Sequence, residues 1–218
     1  MSTIAIIGGT GPQGSGLGYR FAKGGNDVII GSRDEERAMN AATELAHRPV
    51  EGTITGATNL KAADAADIVL LAIPYDGHDE LVTGLAPALA DRVVISCVNP
   101  LAFDRAGPYG LDLGPTSAAE RAQEIVPHAQ VVGAFHHLSA VTLSGAADLL
   151  DHEDVLVCGD HAGAKSQVIE LARTVTGKPG IDAGALRLAR QLEPLTAVLI
   201  SINKRYKVRS GIAIAGLH

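Results

Sequence analysis

The sequence predicts an α/β protein: a doubly wound, mostly parallel sheet of about eight strands with a small helical C-terminal part. Three observations predict it. Short apolar runs alternate with alanine- and leucine-bearing helical stretches along most of the chain. The runs are continuous rather than alternating apolar and polar, as parallel strands buried on both faces require. The first run, residues 4–7, passes directly into a glycine-rich turn, IAIIGGTGPQGSGLG, where Gly9, Gly11 and Gly14 keep the spacing G-x-G-x-x-G. Strand, glycine turn, helix and second strand within about 30 residues form a dinucleotide-binding fingerprint, which makes the sheet one of Rossmann type.

The three glycines carry separate expectations. Gly9 allows the tight turn out of the strand, Gly11 lets backbone N–H groups approach a pyrophosphate, and Gly14 lets the helix pack close on the strand. That helix, read over residues 17–22, turns its unpaired donors and the positive end of its dipole toward the anion. Thr10, Pro12 and Gln13 lie in the same loop and are candidate contacts. Residues 28–30 form the second strand, which ends in Gly31-Ser32-Arg33. An acid at this tip would accept hydrogen bonds from a ribose 2′-hydroxyl, whereas Ser32 and Arg33 are donors and suit a 2′-phosphate. Arg37 falls four residues later on the same helix face. The expected cofactor is therefore NADP(H). The competing reading pairs Arg33 with Asp34, Glu35 or Glu36 at a solvated helix start.

A helix follows over 35–47, a short third strand over 53–55 and a short helix over 62–66. Residues 68–73 form a buried strand stopped by Pro74, so Ala72, Ile73 and Pro74 are expected to line the cleft at the carboxyl ends of the strands. After a helix over 79–90, a strand over 93–96 ends in Cys97-Val98-Asn99-Pro100, which makes Asn99 the next cleft candidate. Residues 101–115, with Gly107, Pro108, Gly110, Gly114 and Pro115, read as a long loop, either a lid or a plain surface connection. Ser117 and Glu120 form a capping box that opens a helix to 126. A strand over 131–135 runs into His136-His137-Leu138-Ser139. Then come a strand over 155–158, a helix over 161–176, a short strand or turn over 179–183, and a mostly helical tail over 186–206, in which Pro194 fits only where a helix starts. The reading divides the chain into a dinucleotide-binding domain, 1–183, and a C-terminal segment, 184–218.

Composition narrows the function classes. With 46% hydrophobic and 19% charged residues, the chain is globular. Cys97 and Cys158 close apolar runs and read as buried thiols of a reducing compartment. The first strand begins by residue 4, leaving no length for a signal peptide, and the apolar run 195–202 is far short of the roughly 20 residues of a membrane span. The expectation is a cytoplasmic protein with no membrane partner. A net charge of −6 argues against nucleic acid. Residues 184–218 nevertheless hold six basic residues and one acid, net +5, which leaves −11 on the rest. That imbalance suits an anionic ligand, a solvated helix end or a subunit contact. No Cys or His spacing suggests a metal, and the neighbours His136 and His137 would point to opposite faces of a strand.

The stretches GGTGPQG, IIGSR, AIP, VCGD and DAG, with the tail LEPLTAVLISIN, resemble the NADPH-dependent reductases of coenzyme F420, an 8-hydroxy-5-deazaflavin, over nearly the full chain. The resemblance implies reversible hydride transfer between NADP(H) and the deazaflavin. It implies a Rossmann domain with a smaller C-terminal part, F420 bound as a diffusing co-substrate in the cleft between them, and a homodimer. Residue by residue, Thr10, Ser32, Arg33 and Arg37 match positions that hold the 2′-phosphate. Gly9, Gly11 and Gly14 match the pyrophosphate loop, and His136 and Leu138 match the catalytic contacts to the deazaflavin rings. The stretch His137-Leu138-Ser139 departs from the Thr-Ile-Pro of some archaeal members. His136 is the one side chain in reach of a ring nitrogen as proton donor, although packing or a hydrogen bond beside the ring is its more ordinary use. Other classes with the same fingerprint are an NADP-binding redox sensor without turnover and NADPH-dependent reductases of imine or metal–flavin type.

Overall fold

The computed structural model describes residues 1–217; His218, the last residue of the expected C-terminal segment, lies outside the described residues. The first half runs β1 (Thr3–Ile7), α1 (Pro12–Lys23), β2 (Asp27–Ser32), α2 (Glu35–Ala46), β3 (Ile54–Thr58), α3 (Asn59–Asp64), β4 (Ile68–Leu71), α4 (His78–Leu89) and β5 (Val93–Ser96). A hairpin of β6 (Leu101–Phe103) and β7 (Pro108–Gly110) follows, then α5 (Ala118–Ile125), β8 (Gln130–Gly133), the single turn α6 (Ala140–Leu143) and β9 (Leu156–Gly159). The chain closes with α7 (Ala162–Leu171), α8 (Arg173–Thr176), β10 (Ile181–Gly184), a 3-10 turn at Leu186–Leu188 and the long helix α9 (Ala189–Tyr206).

The main sheet has eight strands in the order β10-β9-β8-β5-β4-β1-β2-β3. From β3 to β8 every neighbouring pair is parallel; β9 joins β8 antiparallel, and β10 runs parallel to β9. The chain thus reverses its direction of winding between β1 and β4, and the carboxyl ends of these two strands open a crevice at the switch point. Each strand presents alternate residues to two apolar layers. Ile4 and Ile6 of β1 pack with Leu17 and Phe21 of α1 and with Val168 of α7. Ala5 and Ile7 pack on the other face with Ala62 of α3, Leu85 and Leu89 of α4, and Ala118 and Ala122 of α5. This two-sided burial is why the strand sequences read as continuous apolar runs.

Several boundaries differ from the sequence expectation. The first helix begins at Pro12, not near residue 17, because Pro12 supplies a pre-set φ at the first helical position and packing holds Gly14, Gly16 and Gly18 inside the helix. The third strand extends to Thr58, and β8 stops at Gly133 because Phe135 takes a left-handed φ of 63°. The helix expected over 161–176 is divided at Ala172. The stretch 101–115 is not a plain loop: it holds the β6–β7 hairpin, in which Leu101 pairs with Gly110 and Phe103 with Pro108.

Pro194 lies inside α9, five residues after its start, where the sequence expectation placed a helix start. Two carboxylates hold that first stretch. Glu193 is 1% exposed and accepts hydrogen bonds from the backbone N–H groups of Ala118 and Ala119 at 2.9 and 3.0 Å, capping α5 from another helix. Arg190 pairs with Glu120, whose carboxylate also accepts from Ser117 Oγ. The ring of Pro194 fills the space over Gly110, where a Cβ would come within 2.6 Å of it.

Arg20 of α1 is fully buried and meets no carboxylate directly. Its guanidinium donates to the carbonyls of Thr142, Leu143, Ala147 and Asp148 at 2.6 to 3.0 Å, which ties α6 and the loop after it to the first helix.

Burial raises the Glu193 carboxyl from 4.5 to about 7, against the opposing pull of its two amide donors. A pKa raised on folding means that the folded chain holds the proton more tightly. The contribution is therefore full below about pH 4.5 and is lost as pH rises through about 7. In Glu193→Gln nothing ionises at this position. The stability of the native chain relative to that variant, measured by urea unfolding, should fall by roughly 3 kcal/mol from pH 4.5 to pH 8. A pH-independent difference contradicts this assignment.

Candidate active site

The crevice at the switch point contains two cavities that share a wall. The first, of about 760 Å³, lies over the glycine loop and runs out to the end of β2. The second, of about 450 Å³, lies between α1, the segment after β8 and the C-terminal helix. Gly11 and Ala72-Ile73-Pro74 line both.

The glycines of the loop divide differently from the sequence expectation. The left-handed residue at the end of β1 is Gly8, with φ 74°, not Gly9; a Cβ there would also strike Ala72 O at 2.7 Å. Gly9 is required by packing, since a Cβ would approach Ile6 O to 2.8 Å and Ile30 to 3.0 Å. Its N–H donates to the carbonyls of Ile6 and Gly31, which fixes the turn. Gly14 is required for the same kind of reason, with Gly9 Cα only 2.9 Å away. Gly11 is different. A Cβ there would meet only Gly8 O, at 3.4 Å, and would otherwise project into the crevice. The fold demands glycine at 9 and 14, whereas at 11 the demand comes from whatever fills the cavity. Gly11 also caps α1, so the first-turn N–H groups of Gln13 and Gly14, which have no intrahelical partner, stand at the helix mouth as an anion seat.

At the far end of the first cavity stand Thr10, Ser32, Arg33 and Arg37. Ser32 Oγ accepts from the N–H of Asp34, leaving its own hydrogen to donate elsewhere. Neither arginine is tied up by the acids beside it. Asp34 spends its carboxylate capping α2 through the N–H of Arg37, and Glu35 pairs with Lys61 at 2.8 Å. Among the described residues neither Arg33 nor Arg37 forms an ion pair, so two exposed guanidinium groups and a hydroxyl converge on one end of a cavity whose other end is a helix N-terminus. This arrangement fits a ligand with a pyrophosphate at its middle and a further phosphate at the ribose.

Pro12, Gln13, Asn99, His136 and Leu138 line the second cavity. The backbone after β8 is held from three sides. Gln13 Nε2 donates to Phe135 O at 3.3 Å; Asn99 Nδ2 and Thr196 Oγ1 both donate to His136 O at 2.8 Å. Asn99 also donates to Thr196 Oγ1 at 3.1 Å, so β5, β8 and α9 meet at one carbonyl. This leaves Asn99 Oδ1 and both ring nitrogens of His136 buried and without a partner among the described residues, polar groups of the kind a ligand satisfies. Burial, aided by the neighbouring His137, lowers the His136 imidazole to about 3. It is neutral at physiological pH, which disfavours an imidazolium proton donor and favours the packing or hydrogen-bonding use. His137, which also lines this cavity, bonds the carbonyl of Asp154 through Nε2.

Of the residues singled out from sequence, all but Gly9 and Gly14 line one or both cavities. Several others escaped the sequence reading. Thr58 and Asn59 line the first cavity at the end of β3, where the third strand was read three residues too short. Thr196, Asn203 and Ser210 line the second, as does Cys97, which belongs to the cleft segment 97–100 expected from sequence. Thr196 and Asn203 fall in the tail LEPLTAVLISIN that carries the resemblance, but neither was singled out there; their place on the inner face of α9 reveals them.

The family model described as NADP oxidoreductase, coenzyme F420-dependent, matches residues 3–100. Two curated relatives, each an F420-dependent NADP reductase, are 39% identical to the chain: one from Methanothermobacter thermautotrophicus, covering 98% of this chain and 95% of its own, and one from Methanocaldococcus jannaschii, covering 98% of both. The chain belongs to the F420-dependent NADP reductase family. A crystal structure from Arthrobacter sp. FB24 superimposes on this family member with a TM-score of 0.82 at 25% identity, covering 98% of this chain and all of the other. The family model ends before the hairpin, so the second cavity of this F420-dependent reductase depends in large part on residues beyond the matched span.

The contrast among the glycines is testable. Gly11→Ala should change stability by less than about 1 kcal/mol, because the poorer N-cap is partly offset by the lower entropy of the unfolded chain at a position whose φ of −80° alanine adopts, while weakening NADPH binding by about tenfold. Gly14→Ala should destabilise the fold itself by about 1–3 kcal/mol. Calorimetric binding together with urea unfolding measures both. Equal stability losses at the two positions would show that Gly11 is also demanded by the fold.

Proposed function

We propose that the chain catalyses reversible, direct hydride transfer between NADP(H) and coenzyme F420, with the deazaflavin binding as a diffusing co-substrate. The observation that carries this reading is the pair of cavities sharing Gly11 and Ala72-Ile73-Pro74: two ligands can lie against each other across that wall with their reactive rings in reach. When bound, the nicotinamide and the deazaflavin supply the hydride donor and acceptor, and the protein supplies position and dryness.

Each residue then has a physical task. Gly11, Pro12, Gln13 and the first turn of α1 receive the pyrophosphate. Thr10, Ser32, Arg33 and Arg37 hold the 2′-phosphate and so select NADP(H). Ala72, Ile73 and Pro74 direct the nicotinamide toward the second cavity. There Leu138, Leu199 and Ile200 exclude water beside the reacting rings. His136, kept neutral by its burial, offers a single hydrogen bond to the deazaflavin rather than an imidazolium proton. Residues 184–218 form the segment that completes the deazaflavin cleft, the described part of it through Thr196, Leu199, Ile200, Asn203 and Ser210. The setting is read as cytoplasmic, which the free, buried Cys97 and Cys158 support. The homodimer reading is supported by Phe103, Tyr109 and Val198, exposed on the hairpin and on the helix it packs against. The net charge of −6 speaks against nucleic acid as a partner, and no helix among the described residues is long and apolar enough to cross a membrane.

Mixing the protein with NADPH and oxidised F420 should bleach the visible absorbance of the deazaflavin at a rate that saturates in both. Arg33→Ala should weaken NADPH by about 1.5–3 kcal/mol and leave the poorer use of NADH unchanged. No bleaching by the native protein contradicts the activity, and equal losses for NADPH and NADH contradict the phosphate contact.

A further inference from the structure

The cavity beside His136 borders two regions that differ in charge. Across Pro74 and Asn99 it adjoins a hollow of about 620 Å³ lined by Asp76, Asp79 and Glu80, of which Asp76 and Glu80 also line the first cavity. Arg121 pairs with Asp79 at 2.7 Å, while Asp76 and Glu80 have no ion pair among the described residues. The other region lies along α9. Thr196, Leu199, Ile200 and Asn203 recur at helical spacing along one face and line the cavity. The next turn of that face brings Tyr206 and Lys207. There the helix ends in a left-handed residue, Lys207, and the chain doubles back through Arg209 to Ser210, which lines the cavity again. The N–H of Ser210 donates to Asn203 Oδ1 at 2.6 Å and closes this turn. Lys204, Lys207 and Arg209 are all exposed on it, and among the described residues none forms an ion pair.

We infer that this basic turn at the end of α9 seats the anionic tail of the deazaflavin co-substrate, its phosphodiester and terminal carboxylates. The inference rests on the proposed activity for the identity of the ligand, and on the charge beside the cavity for its direction. The three unpaired cations of the turn stand beside Asn203 and Ser210, at the α9 end of the second cavity, and attract a polyanion there. The chain is acidic outside its last 35 residues, so the +5 of that segment stands out as a local field rather than as part of a general basic surface.

The test compares two ligands on two proteins. One ligand is intact F420; the other is its tail-less fragment, the deazaflavin ring with its ribityl chain alone. The proteins are the native chain and the triple variant Lys204→Gln, Lys207→Gln, Arg209→Gln. Dissociation constants are read from the deazaflavin fluorescence, at low and at physiological salt, without any turnover. The variant should bind F420 about tenfold more weakly at low salt and bind the fragment as the native chain does. Native affinity for F420 should fall with salt, and that slope should flatten in the variant. Equal weakening of both ligands, or an F420 affinity indifferent to the substitutions and to salt, overturns the inference. Tail-selective binding without bleaching by NADPH would leave the anion seat standing and reject the hydride-transfer reading instead.

Discussion

The arrangement of the crevice depends on one backbone carbonyl, that of His136, held by Asn99 and Thr196 at 2.8 Å each. Three elements distant in sequence meet there: the end of the fifth strand, the segment after the eighth, and the middle of the last helix. Besides this node, α9 is held to the rest of the chain by Glu193 on the N-terminus of α5, by the Arg190–Glu120 pair and by Pro194 against Gly110 of the hairpin. At the node, the helix lies across the carboxyl ends of the strands and turns an open crevice into a walled cavity. The cost is local. Phe135 takes a left-handed φ, and the imidazole of His136 is buried with no partner for either nitrogen among the described residues. Departures of this kind from ordinary backbone and polar satisfaction collect where a ligand is to be received.

Charge follows the same division. Arg33 and Arg37 stand exposed at the outer end of the first cavity, where water screens their charge. The inner cavity presents neutral or apolar groups: Leu138, Leu199, Ile200, a neutral His136 and the thiol of Cys97, which burial raises to about 12. A hydride is best passed in such a place. It needs close, dry contact between two rings and no group that would supply a proton to the transferring site. Arg20 serves this arrangement from beneath. By gathering four carbonyls of the segment 142–148 it fixes the strip of chain that begins at Leu138 and Ala140 on the cavity wall.

The legible and illegible parts of the molecule separate on physical lines. The sheet could be read because burial on both faces leaves continuous apolar runs, and the fingerprint because a pyrophosphate leaves little choice of residue beside it. The place of Ser32 and Arg33 on the wall of the first cavity could be read because the carboxyl end of a parallel strand faces the crevice. The reading failed where local and tertiary preference part. Glycines inside α1 hid a helix that the surrounding core enforces, and Pro194 suggested a helix start although Glu193 and Arg190 anchor a turn before it. Gly8 was overlooked in favour of Gly9 because the motif records spacing, not φ. Arg20 had no signature and Thr196 was marked only as one residue of the tail, since each acts through partners more than 50 residues away in sequence.

The central claim is that the two rings meet across the shared wall and exchange hydride with no carrier between them. It is tested most directly with NADPH deuterated on the transferred face of its nicotinamide, oxidised F420 and the native protein in ordinary water. The account predicts deuterium at C5 of the reduced deazaflavin, close to one atom per turnover, with no hydrogen from solvent at that carbon, and a purified protein without colour of its own. Solvent hydrogen at C5, or a tightly bound flavin that is reduced before F420 is, would contradict it.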